Sequence, residues 1–132
     1  MVMEQLAVEI VGLCREYGEC RVEVERMEEA RRVKNALESV CAMARQRLDI
    51  SDPALLLALL DACEVTRDEG MLQEVLDVVG RNLDRLAVSA ESVKLLACCY
   101  YYVEEEECVE RAGRMLEELR KMGRGEEELA DV

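Results

Sequence analysis

The chain has 132 residues, of which 51% are hydrophobic, 36% charged and only 3% aromatic, and it contains one proline. This composition is that of one folded domain, and it excludes a disordered or low-complexity chain. The formal net charge of −13 repels phosphate, so the composition disfavours nucleic acid as a ligand and favours basic partners. Helix-forming Glu, Leu, Ala, Arg and Met dominate, and we therefore predict an all-α domain with an aliphatic, thiol-rich core.

The N-terminal part of the chain predicts two amphipathic helices. Apolar residues at helical spacing predict a first helix over about residues 4–17, ended by Gly18 in a left-handed conformation. From Arg21 to Leu48, apolar residues recur every three or four positions, which predicts one long second helix. The alternation in CRVEVE also fits a short strand, and that alternative stays open.

The clearest helix start lies in the sequence DISDPALLLALL. Ser51 or Asp52 can cap the helix that follows, and Pro53 suits its first turn because the missing N–H has no helical partner there. This third helix is expected to reach about Val65, where the polar sequence TRDEG closes it. A fourth helix is predicted over residues 71–86.

Residues 88–123 predict the last pair of helices. Ser89 is a capping candidate for the fifth helix. That helix carries three tyrosines, Tyr100, Tyr101 and Tyr102. Four glutamates lie where the sixth helix begins, Glu104, Glu105, Glu106 and Glu107. Their charge suits the positive end of a helix dipole. Gly123 ends the sixth helix, and residues 124–132 are expected to form an acidic, flexible tail.

Two parts of the chain align with each other at a constant shift of 36 residues, which pairs Leu59 with Leu95 and Val79 with Met115. The N-terminal part aligns less regularly, at shifts of 49 and 39 residues. We therefore predict a single domain over residues 1–123, built from three antiparallel helical hairpins stacked in a short right-handed α-solenoid. The hairpins are expected at about residues 4–48, 52–87 and 88–123. The alternative is an irregular six-helix bundle.

The run VERAGRMLEELRKMG, residues 109–123, is similar to the second helix of a pentatricopeptide repeat, and the period near 36 resembles the tetratricopeptide and pentatricopeptide class. In that pattern Ala112 takes the small packing position, and Met115, Leu116 and Leu119 form the apolar stripe. The resemblance implies stacked hairpins that hold another macromolecule. The chain departs from the family at YYYVEEEEC, which is longer than the usual interhelix turn, and in lacking the small polar residues that read bases.

The sequence contains no catalytic or cofactor motif, and it has no histidine, the commonest general base and metal ligand. Its seven cysteines include no C-x-x-C pair of the kind that zinc sites use, and Cys14, Cys63 and Cys99 are expected in the core. The four glutamates lack the spacing and the glycine of a calcium loop. We therefore expect no enzyme activity, cofactor or metal, and an enzyme that uses a carboxylate or a thiol is the least favoured alternative.

The odd number of cysteines, their apolar neighbours and the acidic N-terminus predict a reducing intracellular compartment, either the cytoplasm or an organelle matrix if a leader has been removed. The longest uncharged apolar run, residues 53–60, is too short to cross a bilayer, so no membrane association is expected.

The sequence favours a non-enzymatic interaction module or scaffold subunit that binds a basic protein or a copy of itself. The predicted contact residues are the three tyrosines and the four glutamates, because tyrosine is enriched at interface hot spots and the three span most of a helical turn. The alternative is a component of an RNA-handling or ribosomal assembly. Its phosphate contacts would come from the densest basic set in the chain, Arg31, Arg32, Arg45 and Arg47.

Overall fold

A computed structural model describes residues 3–123, and over that range the chain forms six α-helices and no strand, which confirms the all-α prediction. The α-helices are α1 (Met3–Cys20), α2 (Met27–Arg45), α3 (Pro53–Thr66), α4 (Glu69–Arg81), α5 (Ala90–Val103) and α6 (Glu106–Lys121). Short 3-10 helices precede α2 and follow α4, at Val24–Arg26 and Leu83–Arg85. The expected tail, residues 124–132, lies outside the described residues.

Helix α3 is the centre of the structure, since it contacts α1, α2, α4 and α5. Its sequence explains this position: apolar residues surround the helix instead of following one stripe, as expected of a buried helix. Seven of its fourteen residues are buried, namely Leu55, Leu56, Ala58, Leu59, Leu60, Ala62 and Cys63. Helix α1 packs on α2, and α5 packs on α6. No helix within residues 3–123 is long and apolar enough to cross a membrane.

The turn between α1 and α2 differs from the prediction. Helix α1 continues through Gly18, whose backbone is helical, and ends only at Cys20, which is fully buried. The predicted left-handed cap at Gly18 is therefore wrong. The predicted start of the second helix at Arg21 is also wrong, because Glu23 is extended (φ −114°, ψ 120°) and α2 begins at Met27. The strand alternative fails too, because the CRVEVE segment, residues 20–25, contains no strand.

Helix α2 ends at Arg45, three residues before the predicted end at Leu48. Between α2 and α3 the Asp49 carboxylate accepts a hydrogen bond from the Ser51 N–H at 3.0 Å, which holds this part of the chain in a turn. Asp52 is the cap of α3, where its carboxylate accepts from the Leu55 N–H at 3.1 Å. Of the two predicted capping residues, the structure selects Asp52.

Helix α4 is shorter than predicted, because it begins at Glu69 and ends at Arg81 instead of extending over residues 71–86. The Asn82 side chain donates to the Val78 carbonyl at 2.7 Å, and the backbone then leaves the α-helical conformation. Leu86 is still buried, although it lies in extended backbone rather than in a helix. The apolar pattern therefore identified a core residue correctly and its secondary structure incorrectly.

The α3–α4 turn and the α5–α6 turn have the same construction. Arg67 ends α3 and Glu104 ends α5, and both residues adopt the left-handed conformation, with φ of 58° and 51°. One extended residue follows in each turn, Asp68 or Glu105, and the next helix begins at once. The prediction that YYYVEEEEC forms an unusually long interhelix turn is therefore wrong, because the tyrosines are helical and only two residues separate α5 from α6.

Candidate functional site

Two acidic residues interrupt the buried surface of α3. Asp61 and Glu64 are exposed in a helix whose neighbouring positions are buried. Both line a cavity of about 400 Å3 together with α1 residues such as Cys14, and Glu64 also contacts α5. Burial, together with the charge of Glu64, raises the pKa of Asp61. Asp61 and Glu64, which we call the acidic stripe of α3, therefore lie next to α1, and Glu64 also lies next to α5.

The turn from α3 to α4 brings further charges to the end of this stripe. The Arg67 N–H donates to the Cys63 carbonyl in the left-handed cap, and the chain then reverses. Asp68 caps α4 by accepting from the Met71 N–H at 3.0 Å, and its second carboxylate oxygen lies 3.6 Å from Arg45. Glu64, Arg67, Asp68 and Glu69 consequently lie at one end of the α3–α4 pair.

Helix α5 presents two of its tyrosines to these charges. The Tyr102 hydroxyl donates to Oε2 of Glu64 at 3.3 Å, which joins α5 to α3. The Tyr101 and Tyr102 rings meet edge to face, with centroids 5.2 Å apart and an interplanar angle of 84°. Tyr101 is 76% exposed, whereas Tyr102 is half-buried. Burial, the charge of Glu64 and the hydrogen bond to it raise the pKa of Tyr102 to about 12, so its hydroxyl remains protonated at neutral pH.

These groups enclose a cleft of about 350 Å3, which we call the tyrosine cleft. It combines apolar walls, two phenol rings, three carboxylates and one guanidinium. Its lining residues are Cys63, Glu64, Arg67, Asp68, Glu69, Leu72, Tyr101 and Tyr102. Tyr100, the third predicted tyrosine, is 38% exposed and does not line the cleft.

The four predicted glutamates form a separate surface, which we call the acidic turn. Glu104 and Glu105 are the two residues between α5 and α6, and Glu106 and Glu107 form the first turn of α6. All four are exposed, and Glu105 caps α6 without a side-chain hydrogen bond. None of the four lines the tyrosine cleft. The acidic turn follows Tyr101 and Tyr102 directly in the chain, at the C-terminal end of α5.

The four arginines proposed for phosphate contact are not gathered into one site. Arg31 and Arg32 are exposed in the first half of α2, whereas Arg45 ends that helix, about 20 Å away along its axis, and Arg47 is an exposed residue just beyond it. Arg45 is engaged with α4: its Nε donates to Oε2 of Glu74 at 2.9 Å, and Nη2 donates to the other carboxylate oxygen. An ion pair within the protein thus occupies Arg45.

The cysteines are free thiols, and all seven lie in the described residues. Burial raises the pKa of each one, to about 11 at Cys14 and about 12 at Cys41, Cys63 and Cys99. Reactive cysteines show the opposite shift, because the thiolate is the nucleophile. Within residues 3–123, no group of three or more Cys, Asp or Glu side chains is arranged to hold a metal ion.

Two of the predicted contact residues, Tyr101 and Tyr102, line the tyrosine cleft, whereas their neighbours Glu64, Arg67 and Glu69 were not predicted. A signal for Glu64 was present, because Asp61 and Glu64 are the charged residues inside an otherwise apolar α3. No local signal marked Arg67 and Glu69, because their place in the cleft depends on how the α3–α4 turn meets α5.

Comparisons of this chain with protein-family models, curated proteins and solved structures give no match.

Proposed function

We propose that the protein is a non-enzymatic interaction module, or scaffold subunit, that binds a basic protein partner through the C-terminal end of α5. One observation carries the proposal: an exposed tyrosine, Tyr101, lines a cleft that also contains three carboxylates, and the four glutamates of the acidic turn follow it closely in the chain.

The physical reason is the combination of rigid aromatic area with one sign of charge. An exposed tyrosine provides a large contact area at low conformational cost, and tyrosine is enriched among the residues that dominate interface energies. The net charge of −13 attracts a basic partner from a distance and repels anionic ones. Together these features favour a positively charged protein surface as the ligand.

The proposed architecture is three hairpins, α1–α2, α3–α4 and α5–α6, stacked as a short right-handed solenoid related to helical repeats of the tetratricopeptide and pentatricopeptide type. Two features support it. The central helix of the stack, α3, contacts the first helix of each flanking hairpin. The last two hairpins also share their turn construction, with a left-handed residue and then an extended one. Such stacks usually serve to hold another macromolecule.

The same proposal assigns the domain to a binding role rather than to catalysis and to a reducing compartment. Protonated, buried thiols make poor nucleophiles, and the chain has no histidine to activate them. Seven free cysteines fit a compartment where disulfides do not persist.

The test is affinity capture from a lysate of the organism that makes the protein, under reducing conditions, with quantitative identification of the bound proteins. We expect basic proteins to be enriched by the native chain and to be lost when the four carboxylates of the acidic turn are neutralised together. That variant carries Glu104→Gln, Glu105→Gln, Glu106→Gln and Glu107→Gln. Glutamine keeps the shape of each side chain, so only the charge changes.

A matched control removes the same number of charges from exposed positions elsewhere. It carries Glu91→Gln, Glu110→Gln, Glu117→Gln and Glu118→Gln, all at exposed positions. Equal capture by the native chain and both variants would contradict the proposal, as would a well-folded chain that captures no protein. If the chain captures its own copies and shows a larger mass in solution, the partner is a second copy of the chain and not a basic protein.

The alternative, an RNA-handling role, has its own outcome in the same experiment. RNA recovered with the native chain should then be lost in the variant that neutralises Arg31, Arg32, Arg45 and Arg47, and its binding should weaken steeply with salt. RNA affinity that is unchanged in this variant removes the alternative.

A further inference from the structure

We infer that the tyrosine cleft holds a single arginine or lysine side chain of the partner, with the Tyr101 ring against the cation and the carboxylates of Glu64 and Glu69 beside it. The inference rests on the proposed function and specifies its ligand. It begins from the groups of the cleft that remain available for a new bond.

The cleft has three carboxylates, and two of them can accept a further hydrogen bond. Asp68 is committed to its helix cap and to Arg45. Glu64 accepts from Tyr102 through Oε2, while its Oε1 has no hydrogen-bond partner within residues 3–123. The Glu69 side chain is exposed and forms no hydrogen bond or ion pair with the described part of the chain. Each available oxygen accepts only, so the complementary ligand must donate.

An aromatic face completes the cation site. Tyr101 is 76% exposed and lines the cleft, and its ring is in edge-to-face contact with the Tyr102 ring at 5.2 Å. A cation above such a ring is attracted by the negative face of the π system. The Tyr102 hydroxyl donates to Glu64 and therefore fixes that carboxylate within the cleft that Tyr101 also lines.

The walls of the cleft favour a cation that is carried on an apolar stem. Leu72 and Cys63 contribute apolar surface next to the two rings, and arginine and lysine bury their methylene stems on such surface while the charge stays hydrated. A volume of about 350 Å3 is near the lower limit of ligand pockets, which suits one side chain.

The guanidinium of Arg67 competes with an external cation for the carboxylates of this cleft. Arg67 lines the same cleft, and its guanidinium forms no ion pair with any described residue. With three carboxylates and one guanidinium the lining keeps an excess of negative charge, so an external cation is still attracted. Removal of Arg67 should therefore strengthen cation binding, whereas a site for anions would lose affinity with the same change.

The probe is a capped pentapeptide, Gly-Gly-Arg-Gly-Gly, titrated while the NMR signals of the tyrosine rings are followed. We expect saturable shifts at Tyr101 and Tyr102 and none at Tyr100, the neighbouring tyrosine that lies outside the cleft. A lysine in place of the arginine should also bind. Citrulline, which keeps the shape of arginine without its charge, should bind about fivefold more weakly.

Three variants and a control define the site. Tyr101→Ala should weaken binding of the arginine peptide about threefold, and Glu69→Gln about twofold. Arg67→Ala should strengthen it about twofold. Tyr100→Ala should leave it unchanged. Tyr101, Glu69 and Arg67 are all exposed, so none of these changes removes a core side chain.

Several results would overturn the inference. Equal shifts with the arginine and citrulline peptides would mean aromatic contact without recognition of charge, and equal shifts at Tyr100 would mean adsorption along the whole helix. Tighter binding of spermidine than of the arginine peptide would assign the cleft to a free polycation. If Tyr101→Ala leaves capture of a basic partner intact while the variant of the acidic turn abolishes it, the cleft inference fails and the proposed function stands.

Discussion

The start of α5, which positions all three tyrosines, allows a quantitative test of the structure. Ser89 caps the helix by accepting from the Ser92 N–H at 3.1 Å, and its hydroxyl also donates to the Ser92 hydroxyl at 3.0 Å. Ser92 is the buried polar side chain of the described core, at 0% exposure. Ser89→Ala therefore removes a cap and, in addition, a hydrogen-bond partner from a buried hydroxyl.

The two losses can be estimated separately. Loss of the cap costs about 1 kcal/mol of unfolding free energy, and a buried hydroxyl left without its partner costs about 1 to 3 kcal/mol more. We expect Ser89→Ala to destabilise the protein by about 2 to 4 kcal/mol. Adding Ser92→Ala should then recover about 1 to 2 kcal/mol, because the second change removes the stranded hydroxyl.

Urea unfolding followed by circular dichroism measures all four corners of this double-mutant cycle. The matched control is Asp52→Ala, which removes the cap of α3 without affecting a second buried polar group and should cost about 1 kcal/mol. A double variant as unstable as Ser89→Ala alone, or less stable, would refute the reasoning. It would mean that the Ser92 hydroxyl finds another partner when Ser89 is lost.

Three further predictions concern the turn, the core and the thiols. Glu104→Gly should stabilise the protein by about 0.5 to 1 kcal/mol, because glycine relieves the left-handed backbone at φ 51°, and Glu110→Gly inside α6 should cost about 1 kcal/mol in the same urea assay. Leu59→Ala, at 0% exposure, should cost about 2 to 5 kcal/mol, whereas Val24→Ala, at 82% exposure, should change stability by less than about 0.5 kcal/mol. Burial raises the pKa of Cys63 from 9.0 to about 12. The contribution of the protonated Cys63 thiol to stability is therefore complete below pH 9.0 and is lost as the pH rises toward 12. The urea midpoint of the native chain should fall above about pH 9, and that of Cys63→Ala should fall less.

The parts of the fold that were predictable from sequence are those with a local chemical cause. Asp52 and Ser89 cap the helices that follow them because a short oxygen-bearing side chain can reach the first free N–H groups. Gly123 follows α6 in a left-handed conformation, with φ of 70°, as its lack of a side chain permits. In each case the residues concerned are within three positions of one another.

Several of the errors arose where tertiary contacts decide. Gly18 lies in a helix that continues to Cys20, which is fully buried. Arg67 and Glu104 adopt a left-handed conformation that their residue types do not favour, so no sequence signal identified these two residues as the left-handed ones. The cleft partners Glu64 and Tyr102 are 38 residues apart, and only the packing of α5 on α3 brings them together.

The register of the proposed repeat determines which residues of the tyrosine cleft are equivalent in consecutive hairpins. The apolar residues suggested a shift of 36, but the caps and left-handed turns recur at 37, since Asp52 corresponds to Ser89 and Arg67 to Glu104. The caps are the better guide, because α3 is apolar nearly all round and the same number of its buried positions, four of seven, match a buried position of α5 at either shift. At a shift of 37, Glu64 corresponds to Tyr101. Equivalent positions of consecutive hairpins face the same side of a stack. The Glu64 carboxylate and the Tyr101 ring would therefore occupy the same position in two consecutive hairpins.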